Sequence, residues 1–374
     1  GNNGLINKSR ESKTTTEISQ EKEGIELAVA TSRIGNNGYE KLNKISLQNA
    51  IDNQFGIDVA TVIDNGDGTF IVVFITNRAY DVNSNDNISF IGNFDNKAIA
   101  RIKSTYYSTL SAAINSVQDS DTIVLLKDIS ENITITENKD VILDTRGYSL
   151  KNETDDLGTI TIDSGGILTI QGSGSIISQA PNTINNFGTL EITDAVEISS
   201  TSSNKSTIYN RDNAVLKINN ETTIKSEIWQ TITNRGWLEI TGNAKISSKS
   251  TNSATITLSA GSLQMDGGSI ISENYNAINT NVSTTVHITG GTVIGNLNSI
   301  YNKGNLEISG TARIISNSSG SSTIANGNKD DSSESGICII TGGTITNTSG
   351  EYAIRNHNGT VTVTNCIIEG KTDY

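Results

Sequence analysis

Asp194, Asp212 and Asp266 are the only aspartates between Ser164 and Lys329. Cleavage of a glycosidic bond calls for two carboxylates on either side of one linkage, so their scarcity matters. The remaining candidates are few. Glu191 and Glu239 flank Lys217; His287 and His357 are the only histidines; Cys338 and Cys366 are the only cysteines. Two cysteines cannot supply a disulfide framework or a four-cysteine metal site. Two loops are rich in oxygen donors, Asp64-Asn-Gly-Asp67-Gly and Asp81-Val-Asn83-Ser-Asn85-Asp86-Asn87. Alternating Asp and Asn suit Ca2+, but neither loop has the closing Glu of an EF-hand. Ordinary hairpin turns are the plainer reading. No cofactor is expected, with Ca2+ at the second loop the one metal worth testing. The best binding candidate is aromatic: Tyr209 and Arg211, followed closely by Trp229, Arg235 and Trp237. Rings beside guanidinium groups suit sugar faces and are common contact anchors. The plainer alternative is that Trp237 packs beside Gly236 and Trp229 fills a bend.

What positions these residues is a repeat. Segments such as GTLEITDAVEISS, GWLEITGNAKISS and NLEISGTARIIS align on their first apolar residue. That column reads Leu168, Leu190, Leu216, Leu238, Leu263, Val286, Leu306, Cys338 and Val361, with a mean spacing of about 24 residues. A second apolar column runs two residues later, from Ile170 to Val363. An apolar-x-apolar step is a strand with one face buried. Two residues on stands Gly172, Asp194, Asn220, Gly242, Gly267, Gly290, Gly310, Gly342 or Asn365. These residue types tolerate positive φ, so a turn is expected there in every repeat. A third column, Ile176 to Ile345, is usually followed two residues later by Ser, as at Ser178, Ser200 and Ser248. A fourth reads Ile-x-Asn, as in Ile208-Tyr209-Asn210 and Ile232-Thr233-Asn234; Ile256 and Ile278 keep the apolar residue and lose the asparagine. Three short strands in about 24 residues predict one coil of a parallel β-helix. Like residues then stack at roughly 4.8 Å, and stacked asparagines can bond along the axis.

On these columns the region from about Thr105 to Tyr374 resembles the right-handed parallel β-helix superfamily typified by pectate lyases. Leu110-Ser-Ala-Ala-Ile114-Asn-Ser-Val117, followed by DTIVLLKDISENITI, is similar to the way such folds open. A capping helix over about 107–117 is expected, because an open solenoid end can template aggregation. The resemblance implies a search for the active sites of pectate lyases, which hold Ca2+ on acidic residues beside a basic residue, and of polygalacturonases, which gather aspartates on neighbouring coils. The three aspartates do not align to either pattern. Glu191 and Glu239 would stand two coils apart, roughly 9–10 Å, near the separation used by inverting glycosidases. With Lys217 between them, a surface ion-pair ladder is the plainer reading. The histidines fall in different columns, which argues against a shared metal. Cys338 sits in a core column, where a free cysteine behaves as a small apolar residue.

Residues 1–100 lack the columns. A helix is expected over about 5–34, burying Ile18, Ile25, Ala28, Val29 and Ser32 on one face and ending at Gly35-Asn-Asn-Gly38. A short helix over about 46–54, a hairpin over about 58–76 and a third strand near Ile88–Ile91 follow. This order, and the text GNNGLINKSRESKTTTEISQEKEGIELAVATSRI, resemble the soluble part of type IV pilins and pseudopilins, particularly prepilin-like proteins of Gram-positive bacteria. That family's apolar N-terminal helix half and its processing site are not among these residues. The resemblance therefore implies a soluble portion beginning just after a membrane anchor.

The chain carries 27 Lys and Arg against 40 Asp and Glu, a formal charge of −13. Such a balance argues against sequence-independent nucleic-acid binding. The reading at this stage is an extracellular, cell-surface-anchored, pilin-like or adhesin-type protein, with a small α+β domain over 1–100 and a β-helix over 101–374. It is expected to bind a glycan or another surface without catalysis, with other pilin subunits as further partners. The alternative is a polysaccharide lyase or glycoside hydrolase on the same fold.

Overall fold

The computed structural model describes residues 2–35, 38–65, 68–95, 97–103, 105–118, 121–152, 158–179 and 182–374, with the side chains of 2–11, 35 and 38–39 excepted. The chain divides into two compact units, Gly1–Thr109 and Leu110–Tyr374.

In the first unit, α1 runs Asn2–Ser32 and buries Ile25, Ala28 and Val29, the face that the spacing predicts. It stops before Gly35, and Ile34–Gly35 pairs antiparallel with Gly38–Tyr39. The expected stop at Asn36 and Asn37 lies outside the described residues. The second helix, α2, spans Lys44–Phe55. Asn43 caps its N-terminus by accepting the Ser46 amide, and Gly56 ends it at φ 105°. The sheet that follows is antiparallel and four-stranded: Ala60–Asp64, Phe70–Phe74, Arg78–Val82 and Ile88–Asn93. Sequence reading finds three of these and misses Arg78–Val82. Two of its five residues are charged, which hides the alternation. Both charges are paired in the fold: Arg78 meets Glu17 at 3.2 Å and Glu21 at 2.9 Å, and Asp81 faces Arg101 at 3.5 Å. Phe55, Phe74 and Tyr80 then pack edge to face, with centroids 5.0 and 5.7 Å apart. A hairpin of Ala100–Ile102 and Thr105–Tyr107 closes this unit.

The second unit opens with α3, Leu110–Ser116, near the predicted bounds. Leu110, Ala113 and Ile114 are buried, and the helix packs on strand Ile133–Ile135. Glu131 accepts the amides of Leu110 and Ser111, while Lys139 Nζ reaches the carbonyls of Asn115 and Val117. Each helix end thereby gains partners for two of its open backbone groups, from a charge of the favoured sign.

The rest is a parallel β-solenoid of about 24 residues per coil. One coil is Val215–Ile218, Thr223–Ser226 and Ile232–Asn234; Trp237–Ile240 then begins the next. The three strands lie on three faces, called here the leucine, serine and asparagine faces. Successive coils pair in parallel and in register, so Leu216 sits on Leu190 and under Leu238. The apolar columns form the core, fully buried from Leu168 to Ile345.

Asparagines stack inside. Asn186 Nδ2 donates to Asn210 Oδ1 at 2.8 Å, and Asn210 to Asn234 at 2.7 Å. A second run joins Asn302, Asn326 and Asn356 at 2.8 and 2.9 Å. Between the runs the column holds Leu258 and Thr280.

The turn column needs a correction. Six of the nine predicted positions have positive φ, among them Gly172, Asp194 and Gly242. In the coils reading Gly-Gly, the second glycine takes it: Gly268 at 72°, Gly291 at 78° and Gly343 at 80°. These turns are one residue shorter, which moves the left-handed position. A Cβ on Gly268 would also lie 2.5 Å from the Ala244 carbonyl of the preceding coil.

Candidate functional site

Outward residues of the asparagine face form their own column: Asn185, Tyr209, Thr233, Thr257, Asn279, Tyr301, Ala325, Arg355. Tyr209 stands here with the Arg211 guanidinium 3.6 Å from its ring centroid and 5.0 Å from that of Phe187. Arg211 Nη2 donates to Asn185 Oδ1 at 3.0 Å, which helps to hold the guanidinium against these rings. On the next coil Arg235 Nε donates to Asp212 Oδ1 at 2.9 Å. Trp237 begins a leucine-face strand, in register with Val215 and Ser262, and keeps 41% of its surface exposed. Its indole N–H is 3.5 Å from Glu239 Oε2.

Trp229 is elsewhere. It occupies the bend between the serine and asparagine faces, where its amide donates to Ser226 Oγ and its carbonyl accepts from Ser248 Oγ. Strand Ile232–Asn234 runs between it and Arg235. The predicted group therefore resolves into Tyr209, Arg211, Arg235 and Trp237 around one edge of the asparagine face, with Trp229 at the other.

The Glu191–Lys217–Glu239 register is as expected, but no ion pair joins Lys217 to either glutamate among the described residues. Glu191 instead accepts from Asn219 Nδ2 at 2.9 Å. Ion pairs form on other rows, such as Lys225–Glu197 at 2.9 Å and Lys249–Glu227 at 2.7 Å.

His287 Nδ1 lies 3.0 Å from Glu307 Oε2, on the outside of the leucine face. Beside them, Ile337 and Ile339 line an apolar depression of about 400 Å3. His357 lies instead in the turn after Asn356. Cys338 and Cys366 are both free. Burial pushes the Cys338 thiol up to about 12, so it carries no thiolate near neutral pH.

The second oxygen-rich loop is consumed by the protein. Asp81 faces Arg101, Asp86 pairs with Arg33 at 2.6 Å, and Asn83 Oδ1 accepts the amides of Asn85 and Asn87. Of the first loop, Gly66 and Asp67 lie outside the described residues. Among the described residues no group of three His, Cys, Asp or Glu side chains converges as a metal site.

One depression was not foreseen. It measures about 270 Å3 and lies over the asparagine face around Ala325. Tyr301 and Arg355 flank Ala325 along the column, and the bend at Gly320–Ser322 and the loop at Asn328–Asp330 close the other two sides. Ala325 points outward yet is only 3% exposed. Burial, with Arg355 and Lys329 nearby, holds the His357 pKa below the ordinary histidine value, so its imidazole is neutral at pH 7. The signal was present in the variable position of Ile-x-Asn, where a small residue falls between a ring and a guanidinium. Comparisons with protein-family models, curated proteins and solved structures return no match.

Proposed function

We propose that the chain is the exposed part of a pilin-like, cell-surface-anchored protein whose solenoid, of the right-handed pectate-lyase kind, binds glycans without cleaving them. The observation that carries this is the Tyr209–Arg211–Phe187 stack on the asparagine face, with exposed Trp237 opening the leucine-face strand of the next coil. Aromatic faces pack on the apolar faces of sugar rings, and a fixed guanidinium supplies directed donors at little entropic cost. The pilin-like reading rests on the order of α1, α2 and antiparallel sheet. It implies extracellular localisation, a membrane anchor ahead of α1, and other pilin subunits or a host or bacterial surface as partners.

A second reading, a polysaccharide lyase or hydrolase, is favoured by the His287–Glu307 contact beside the leucine-face depression. One experiment separates the two. The chain is incubated with plant, mucin and bacterial polysaccharides, with and without Ca2+, and followed by size-exclusion chromatography with light scattering. Co-elution with a polysaccharide of unchanged mass is expected. Trp237→Ala should weaken it at least tenfold with an unchanged melting temperature. Shortened polysaccharide would replace this reading with the enzymatic one. Absence of both effects would move the function to a protein ligand or a structural role.

A further inference from the structure

The geometry points to a second, separate site in the depression over Ala325, built to take a single carboxylate-bearing pyranose at the end of a glycan chain. Its floor is small and its walls differ in chemistry. Ala325 is the outward residue of strand Ile324–Asn326, in register with Tyr301 on the preceding strand and Arg355 on the following one. Two strand spacings place those walls roughly 10 Å apart. A large side chain at 325 would fill the space that alanine leaves.

Charge selects the ligand. Arg355 stacks over the Tyr352 ring at 3.8 Å and forms no ion pair with a carboxylate among the described residues. Its planar fork is thus held in place with donors to spare, the arrangement that suits bidentate carboxylate recognition. Lys329 pairs with Asp330 on the rim at 2.8 Å, and His357 is neutral. Among the described charged residues that line the depression, Arg355 is therefore the cation without an ion-pair partner, with Asp373 in register with it on the next strand. Tyr301 offers an aromatic wall for the ring of the sugar, and Asn298 stands at the edge for a hydroxyl.

Shape selects the chain end. The volume, about 270 Å3, is below the roughly 300–1,000 Å3 of pockets for drug-sized ligands, so it fits one ring. Tyr301 and Arg355 bound it along the axis, and the bend and the loop bound it across, a shape that suits the end of a chain. The loop wall is also built to stay in place: Glu334 accepts from Asn328 Nδ2 at 2.7 Å and from Lys303 Nζ at 2.9 Å. This loop accounts for the longest coil, the 32 residues between Leu306 and Cys338. The site deepens the glycan-binding reading but shares no residue with the Trp237 patch, so each can fail alone.

The test is saturation-transfer NMR on the full chain carrying Trp237→Ala, which removes the other glycan patch, with N-acetylneuraminic acid, glucuronic acid and galactose as separate probes. Saturation of one or both acidic sugars and none of galactose is expected, and whichever acid responds identifies the source of the carboxylate. Arg355→Gln should reduce the effect at least tenfold. Ala325→Leu should abolish it by filling the floor. Circular dichroism melting checks that each variant is folded. Equal saturation of galactose, no saturation by any sugar, or full binding by folded Arg355→Gln would each overturn the proposal. So would competition by internal segments of polygalacturonate as strong as by the monosaccharides.

Discussion

Tyr80 shows how a single residue ties charge to folding in the first unit. Its hydroxyl donates to Glu21 Oε2 at 2.5 Å, and Glu21 also holds Arg78. Burial, and then the bond to Glu21, raise the Tyr80 pKa above its ordinary value near 10. The folded state therefore holds this proton more tightly than the unfolded chain does. The resulting stability is fully present below pH 10 and is lost as pH rises through the folded value. Melting temperatures followed by circular dichroism from pH 8 to 11 should fall above pH 10. In Tyr80→Phe that fall should be shallower, though not absent, because Tyr106 is also buried with its pKa raised to about 12. An equally steep fall in the variant would show that Tyr80 is not the group responsible. At this scale the sequence was only partly legible. Tyr209, Arg211 and Trp237 could be chosen from residue type and column, because chain neighbours on one face stay neighbours in a solenoid. Trp229 could not be excluded, because a bend of unknown geometry decides which way it faces. The depression over Ala325 escaped because it is made by a missing side chain, and a loop insertion forms one of its walls.

Elements were more legible, since each column repeats one physical requirement several times. The asparagine column is the clearest case. Asn210 Nδ2 donates to Asn234 Oδ1 at 2.7 Å and to the Trp237 carbonyl at 2.9 Å, while its own Oδ1 accepts from Asn186. Asn210→Ala would leave these buried partners unsatisfied, at about 1–3 kcal/mol each where no water enters. A loss of roughly 2–4 kcal/mol is expected, read as a lower urea midpoint for the second unit. A change within error would mean that the ladder adds nothing beyond the backbone pairing. The reading passed over a parallel device. Thr183, Thr207, Thr231 and Thr255 stand just before the first isoleucine of four successive asparagine-face strands, and their buried hydroxyls donate to carbonyls at the end of the serine face, at 2.6–2.9 Å. That threonine column is legible too, but threonine suits both faces of a strand, so residue type alone does not mark the position. Arg78–Val82 was missed for the opposite reason. It occurs once, so no repeat could outvote its charges.

At the scale of the whole chain, the division into a helix-rich first unit and a repeating second unit follows from where the columns begin. Within the second unit each coil contacts chiefly its neighbours, so stability is close to a sum of coil and interface contributions. The interfaces are not equal. The internal amide ladder runs through Asn186, Asn210 and Asn234, halts at Leu258 and Thr280, and resumes at Asn302. Thr280 does hand a hydroxyl to Asn302 Oδ1 at 3.0 Å, but Leu258 offers no polar atom to either neighbour. Under mechanical load the solenoid should therefore yield at a chosen place. Pulled between residues 121 and 374 in an optical trap, it should extend in two main steps that meet near Leu258, and Leu258→Asn should merge them into one. A stalk exposed to shear would then give up half its length before losing the whole, acting as a fuse between whatever holds its two ends.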